Sequence, residues 1–160
     1  MSGVDAPVYE RLAFEASQSR LDKQDRLLEE LRSRTGVLLA AAALAASFIG
    51  REAFAGNPKA GLSIAALIAF LGSMGSSVYI LIPKRDKFVF SLVGGALYEG
   101  LYAVKDDLPE VYRRLAYDLD RFWDHNDTEL QKITRAYRLG AASLVAEIVL
   151  FSVMVSDTIL

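Results

Sequence analysis

Residues 60–82 read AGLSIAALIAFLGSMGSSVYILI, without one ionisable side chain. As a helix rising about 1.5 Å per residue, this run covers ~34 Å, enough to cross the ~30 Å hydrocarbon core of a bilayer. Two more stretches share its character. Residues 36–50, GVLLAAAALAASFIG, hold no charge, and residues 139–156, LGAASLVAEIVLFSVMVS, hold only Glu147. The third run covers ~27 Å and the first only ~22 Å, so the first needs its flanks: Thr35, and Ala53 to Ala55, with Arg51 and Glu52 reaching the far interface. The expected spans are therefore 36–55, 60–82 and 139–157. Three such segments in 160 residues leave too little sequence to cover them with a water-soluble shell.

Cations set the expected orientation. Six lie in residues 1–35 and ten in residues 83–138, against two (Arg51 and Lys59) between the first two spans and none after the third. Lys and Arg accumulate in cytoplasmic loops, so the N-terminus and the 83–138 segment are placed in the cytoplasm and the C-terminus outside. The first 35 residues hold seven acids and no early apolar core, so no signal peptide is expected and the first span directs insertion. A multi-pass membrane location follows.

Gly56, Asn57 and Pro58 read as a tight turn joining spans one and two into a hairpin. Upstream, 8–35 lacks Pro and Gly after Pro7 and is rich in helix formers, which predicts a cytoplasmic helix running into span one. Leu21, Leu28, Leu31, Thr35 and Leu38 mark a seven-residue alternation, with Gln24 at a seam position and Glu30 paired to Arg34 four residues on. Residues 83–138 begin irregularly. A fourth span through Phe88 to Val104 is disfavoured by Gly94, Gly95, Glu99 and the topology it would force. From Pro109, preceded by Asp106 and Asp107, a helix is predicted, with Tyr112, Leu115, Leu119, Phe122, Asn126, Leu130, Ile133 and Tyr137 forming its seam and no obligatory stop before span three. Residues 1–160 thus read as one all-α integral membrane domain, in which long cytoplasmic helices continue into spans one and three.

Few residues within it call for chemistry. Span two carries Gly61, Ala65, Ala69, Ser73 and Ser77 at four-residue intervals, with Gly72 and Ser76 alongside, the small-residue spacing that lets helices approach in lipid; span one repeats it in Ala42 with Ala46 and Ala43 with Ser47. This face serves intramolecular packing, an oligomer contact or a pore lining. Glu147 stands alone: a carboxylate at that depth costs on the order of 3 kcal/mol unless neutral, paired or wetted. Counting depth from the cytoplasmic side places it near Met74, so Ser73, Ser76 and Ser77 are its expected hydroxyl partners, with the carboxyl neutral and hydrogen-bonded. Its role is either a polar gate or structural glue. Asn126 on the seam is a candidate register or oligomer determinant, or else a solvated kink beside Asp124 and Asp127.

Composition removes most other chemistry. The apolar set is 52% of the chain, net charge is −2, and there is no cysteine and a single histidine, His125. Thiolate and multi-histidine metal sites are excluded, and no global basic field argues for nucleic acid. No P-loop, G-x-G-x-x-G, G-x-S-x-G or H-E-x-x-H occurs, so neither enzyme, metal nor cofactor is expected. Arg113, Arg114 and Arg121 remain as candidate contacts for an anion or nucleotide, as do Lys84, Arg85 and Lys87, although topology and anionic lipid also require cations there.

Leu31-Arg32-Ser33-Arg34-Thr35-Gly36-Val37-Leu38-Leu39 resembles the leader-helix entry D-A-K-A-G-x-L-L of the Pycsar-type transmembrane effectors (PycTM) and the related SLATT group, departing from it at Arg32 and Arg34. Leu119 to Arg138, with Asn126, Leu130, Lys132 and Arg138, is similar to the family helix N-x-x-x-L-x-x-K that runs into a last span. The resemblance implies an antiphage effector in a bacterial inner (plasma) membrane. A cyclic nucleotide made by a cyclase encoded nearby would trigger homo-oligomerisation and disrupt the inner membrane. A constitutive adaptor docking a soluble partner and a small channel are the alternatives.

Overall fold

The structure, a computed structural model, describes residues 6–55, 60–83, 87–90, 101–102 and 107–159; side chains at 6–8, 49, 52–55 and 157–159 lie outside the description. The turn at 56–58, Lys84, Arg85, Gly94, Gly95, Glu99 and Asp106 fall outside it too. Three long helices account for nearly all the rest: α1 (Ala6–Ala55), α2 (Ala60–Leu81) and α3 (Leu108–Ile159). Among the described residues, two helices are long and apolar enough to cross a membrane, α2 and the Leu108–Ser156 part of α3, with mean hydropathy reaching 1.9 and 2.0. Residues 36–55, the expected first span, are helical within α1.

Local signals explain where α3 starts. Asp107 caps it: the Glu110 N–H donates to Asp107 Oδ1 at 3.2 Å, and the Val111 N–H donates to the Asp107 carbonyl at 3.0 Å. This is the arrangement that satisfies a helix's orphan donors, and Pro109 sits in the first turn, where its missing N–H costs nothing. Nothing then interrupts α3 for 52 residues. In α1, Thr35 Oγ1 donates to the Leu31 carbonyl at 2.7 Å, and in α2 Ser77 Oγ donates to the Ser73 carbonyl at 2.9 Å. Both hydroxyls are thereby buried without needing a partner from another helix.

Two compact units make up the chain, Met1–Leu28 with Lys84–Leu130, and Glu29–Pro83 with Gln131–Leu160. In the first, α1 and α3 run parallel, as their contacts advance together: Phe14 on Tyr112 (ring centroids 5.8 Å apart), Ser17 Oγ donating to Asp120 Oδ1 (3.0 Å), Arg20 over the Trp123 ring (4.2 Å). Gln24 Nε2 also donates to the Trp123 carbonyl (3.2 Å). Among the described residues, Leu21, Leu28, Leu115, Ala116, Leu119 and Leu130 are the buried apolar contribution there.

The second unit packs α1 and α3 parallel, with α2 antiparallel to α3. A Cβ placed on Gly140 would lie 3.1 Å from Ser76 Cβ and 3.8 Å from Leu38 Cδ2, one on Gly72 3.0 Å from Ser143 Oγ, and one on Gly50 3.4 Å from Phe151 Cζ. Further along, Ala66, Phe151 and Met154 form a buried cluster with Ala46, Leu62, Leu150 and Val155 against it.

Buried positions repeat every seven residues. On α1 they are Ser17, Leu21, Gln24, Leu28, Leu31, Thr35, Leu38, Ala42 and Ala45, at alternating spacings of four and three; on α3, Leu119, Asn126, Ile133 and Met154 share one line with Gly140 and Glu147. Within each unit this is the spacing at which a helix presents one buried stripe to its neighbour. α2 inverts the usual distribution of bulk: Ala66, Ser73 and Ser77 are buried with Ile80, whereas Ile64, Leu67, Ile68, Leu71 and Val78 are exposed.

Candidate functional site

The second unit holds the side chain that apolar helices least accommodate. Glu147 is fully buried on the α3 seam, and neither carboxyl oxygen has a hydrogen-bond partner. The hydroxyl of Ser73, also fully buried, has none. Ser77 spends its hydroxyl on the Ser73 carbonyl. The expected Ser73, Ser76 and Ser77 partnership with Glu147 is therefore not made.

Helix register explains why. On α2, Ser76 meets Gly140 and Gly72 meets Ser143, while Ala66 clusters with Phe151 and Met154. Glu147 falls between these contacts, level with Ala69 and about one turn from Ser73. On the α1 side the Leu38–Gly140 and Gly50–Phe151 contacts bring Ala45 to the same level. Depth counted from the span ends misplaces the carboxyl by roughly a turn, and the residues level with it, Ala69 and Ala45, have no side-chain donor to offer.

The four-residue ladder on α2 is only partly used. Ser73 and Ser77 are buried, Ala65 and Ala69 are half-buried, and Gly61 is exposed, with no atom within 4 Å of where its Cβ would be. A strict four-residue interval turns about 40° per step around an α-helix, so Gly61 and Ser77 cannot share a face. Gly72 does make a close contact. Gly140, whose contact with Ser76 is as tight, went unnoticed in the sequence; the signal was its place seven residues after Ile133 and seven before Glu147.

These two glycines differ in a testable way. At Gly140 the added methyl meets Ser76 Cβ, which α2 holds fixed, so the helices must part. At Gly72 it meets Ser143 Oγ, which can rotate away. Gly140→Ala is expected to be less stable than Gly72→Ala by about 1–2 kcal/mol, since overpacking costs ~1–3 kcal/mol while both variants gain the same helix propensity. Thermal unfolding of the two variants in one detergent checks the order.

In the first unit, Asn126 is fully buried and binds one residue twice. Its Nδ2 donates to the Val89 carbonyl (2.8 Å) and its Oδ1 accepts from the Val89 N–H (3.0 Å). The side chain is buried rather than a solvated kink, and it clamps the non-helical residues 88–90 to α3. Phe88 and Phe90 stack beside the clamp, centroids 5.5 Å apart.

The candidate anion contacts do not converge. Arg113 Nη2 and Arg114 Nε both hold Glu110, at 2.6 and 2.9 Å from its two oxygens. The Arg114 hydrogen bond, with the charge of Arg113 beside it, keeps the Glu110 carboxyl below the ordinary glutamate range against the opposing effect of desolvation. Arg121 is exposed and lies seven residues from Arg114 on the same side of α3, whereas Arg113 is turned about 100° from Arg114. Among the described residues no three His, Cys, Asp or Glu side chains gather as a metal site; His125 is exposed.

No protein-family model, no curated protein and no solved structure matches this chain.

Proposed function

We propose that this protein is a non-enzymatic effector of a bacterial inner membrane that raises membrane permeability when its helices rearrange. In this reading 36–55, 60–82 and 139–157 are the spans, and the N-terminus and 83–138 face the cytoplasm. One observation carries it: Glu147, fully buried in an apolar helix with both oxygens unpaired. An ionisable group without a partner in an apolar helix is expensive and marks a functional position by default. The tight contacts at Gly72 and Gly140 shield it in the closed bundle. Rotation or separation of the helices, through self-association, would wet the carboxyl and give ions a polar foothold. The trigger we assign from the Pycsar/SLATT resemblance is a cyclic nucleotide made by a neighbouring cyclase, and it must bind the open arrangement better than the closed one.

The test is release of a trapped dye from liposomes containing the full chain, with and without a panel of cyclic nucleotides. Release that rises with one nucleotide is the expected result. Equal release without any nucleotide replaces the effector by a constitutive channel, and no release under any condition leaves a docking protein instead.

A further inference from the structure

The first unit contains a cleft of about 380 Å³, lined on the α1 side by Tyr9, Glu10, Ala13 and Ser17 and on the α3 side by Arg113, Ala116, Tyr117 and Asp120. Its size falls within the roughly 300–1,000 Å³ of small-ligand sites. Ala13 and Ala116 leave the space open, and the largely exposed rings of Tyr9 and Tyr117 add two aromatic surfaces.

Its polar atoms ask for a donor. Glu10 Oε2 is sealed from solvent and has no hydrogen-bond partner. Asp120 Oδ1 accepts from Ser17 Oγ at 3.0 Å and faces Arg20 Nη1 at 3.6 Å, while half of the Asp120 side chain stays exposed. The one cation in the lining, Arg113, is taken by Glu110 at 2.6 Å. With Arg113 held by Glu110 and Arg20 beside Asp120, the carboxylate without a partner is Glu10, and the half-exposed Asp120 keeps oxygen surface toward the cleft, so the lining favours positive charge over phosphate. Aromatic faces beside carboxylates suit an ammonium group carried on an aliphatic chain: the charge pairs with the acids and lies against the rings, and the methylenes cover the alanines.

We infer that this cleft binds an aliphatic polyamine, with one ammonium on Glu10 and another at Asp120, between Tyr9 and Tyr117. This site stands apart from Glu147 and does not depend on the permeability reading.

The experiment is calorimetric titration of spermidine and putrescine into the full chain in phosphatidylcholine nanodiscs, whose neutral lipid removes competing phosphate-rich surface, at matched ionic strength. Saturable binding is expected, weakened at least tenfold by Glu10→Gln and by Tyr117→Leu, and unchanged or tightened by Arg113→Gln. Helical content by circular dichroism serves as the folding control; because Glu10 Oε2 makes no bond in the free protein, Glu10→Gln should preserve it. Absence of saturable amine binding, or binding that Glu10→Gln and Tyr117→Leu leave intact, overturns the proposal. So does a cyclic nucleotide that binds in competition with spermidine and is lost in Arg113→Gln, since the cleft would then be an anion site.

Discussion

Glu147→Leu raises the thermal midpoint of the protein in detergent by about 4–8 °C and abolishes dye release from liposomes. The physical basis of the first effect is that leucine nearly matches glutamate in volume and removes two buried acceptors that have no partner. Leaving such groups unmade costs ~1–3 kcal/mol each, and their replacement by an apolar group of similar shape is neutral or favourable. A net gain of about 2 kcal/mol, at roughly 2–4 °C per kcal/mol for a chain of this size, gives the shift. Loss of release follows because the opened bundle would present a methyl surface where the carboxyl had stood. Glu147→Gln keeps an unpartnered amide and should gain little. A leucine variant that unfolds earlier than the parent would mean that the carboxyl holds a bond essential to the packing. An unchanged leak would remove it from the permeation path.

Asn126→Leu has the opposite sign. One side chain satisfies both backbone groups of Val89, so its loss strands a donor and an acceptor together, at about 2–4 kcal/mol on the usual cost of unmade hydrogen bonds. Residues 88–90 detach to recover water as partner. Lys87 is a poor substitute tether: its Nζ is 3.8 Å from Glu129 Oε2, beyond hydrogen-bond length, and its side chain is more than half exposed, so the pair contributes little. Hydrogen exchange at the Val89 amide should therefore accelerate by roughly 30-fold or more, the equivalent of about 2 kcal/mol of lost local protection. Asn126→Asp, which can still accept from the Val89 N–H but cannot donate to its carbonyl, should fall between. Protection that survives Asn126→Leu would show that the ring stack of Phe88 on Phe90 holds the segment by itself.

The sequence made the buried line of α1 legible where polar and apolar residues alternate. Leu21, Gln24, Leu28, Leu31 and Thr35 stand out because each has a charged neighbour, Leu38 continues their spacing, and all six are buried. The same periodicity governs α3 as far as Met154, yet past Leu139 nearly every residue is apolar and the contrast that reveals a face disappears. Small residues were the remaining guide. They indicated close contact at Gly72 but gave too much weight to a four-residue ladder that ends at the exposed Gly61. Glu147 was conspicuous as a lone acid, whereas its surroundings depend on how far α2 slides along α3, which no single-chain pattern encodes. Asn126 hid its purpose because its partner lies 37 residues upstream, in a stretch without periodicity. Arg113 and Arg114 looked available for an anion until Glu110, three and four residues before them, took both.

The reversed distribution of bulk on α2 bears on handling the protein at the bench. Ile64, Leu67, Ile68, Leu71 and Val78 form a greasy sleeve outside a slender interior that is mostly alanine and serine, with Ile80 at one end. Stripped of its oily surroundings, this helix has little bulk on its inner face beyond Ile80 and Leu62 with which to rebuild a core, and the sleeve becomes glue between molecules. Purification should then be governed by what coats the sleeve, and precipitation after surfactant removal would reflect bare surface rather than unravelling of the helices.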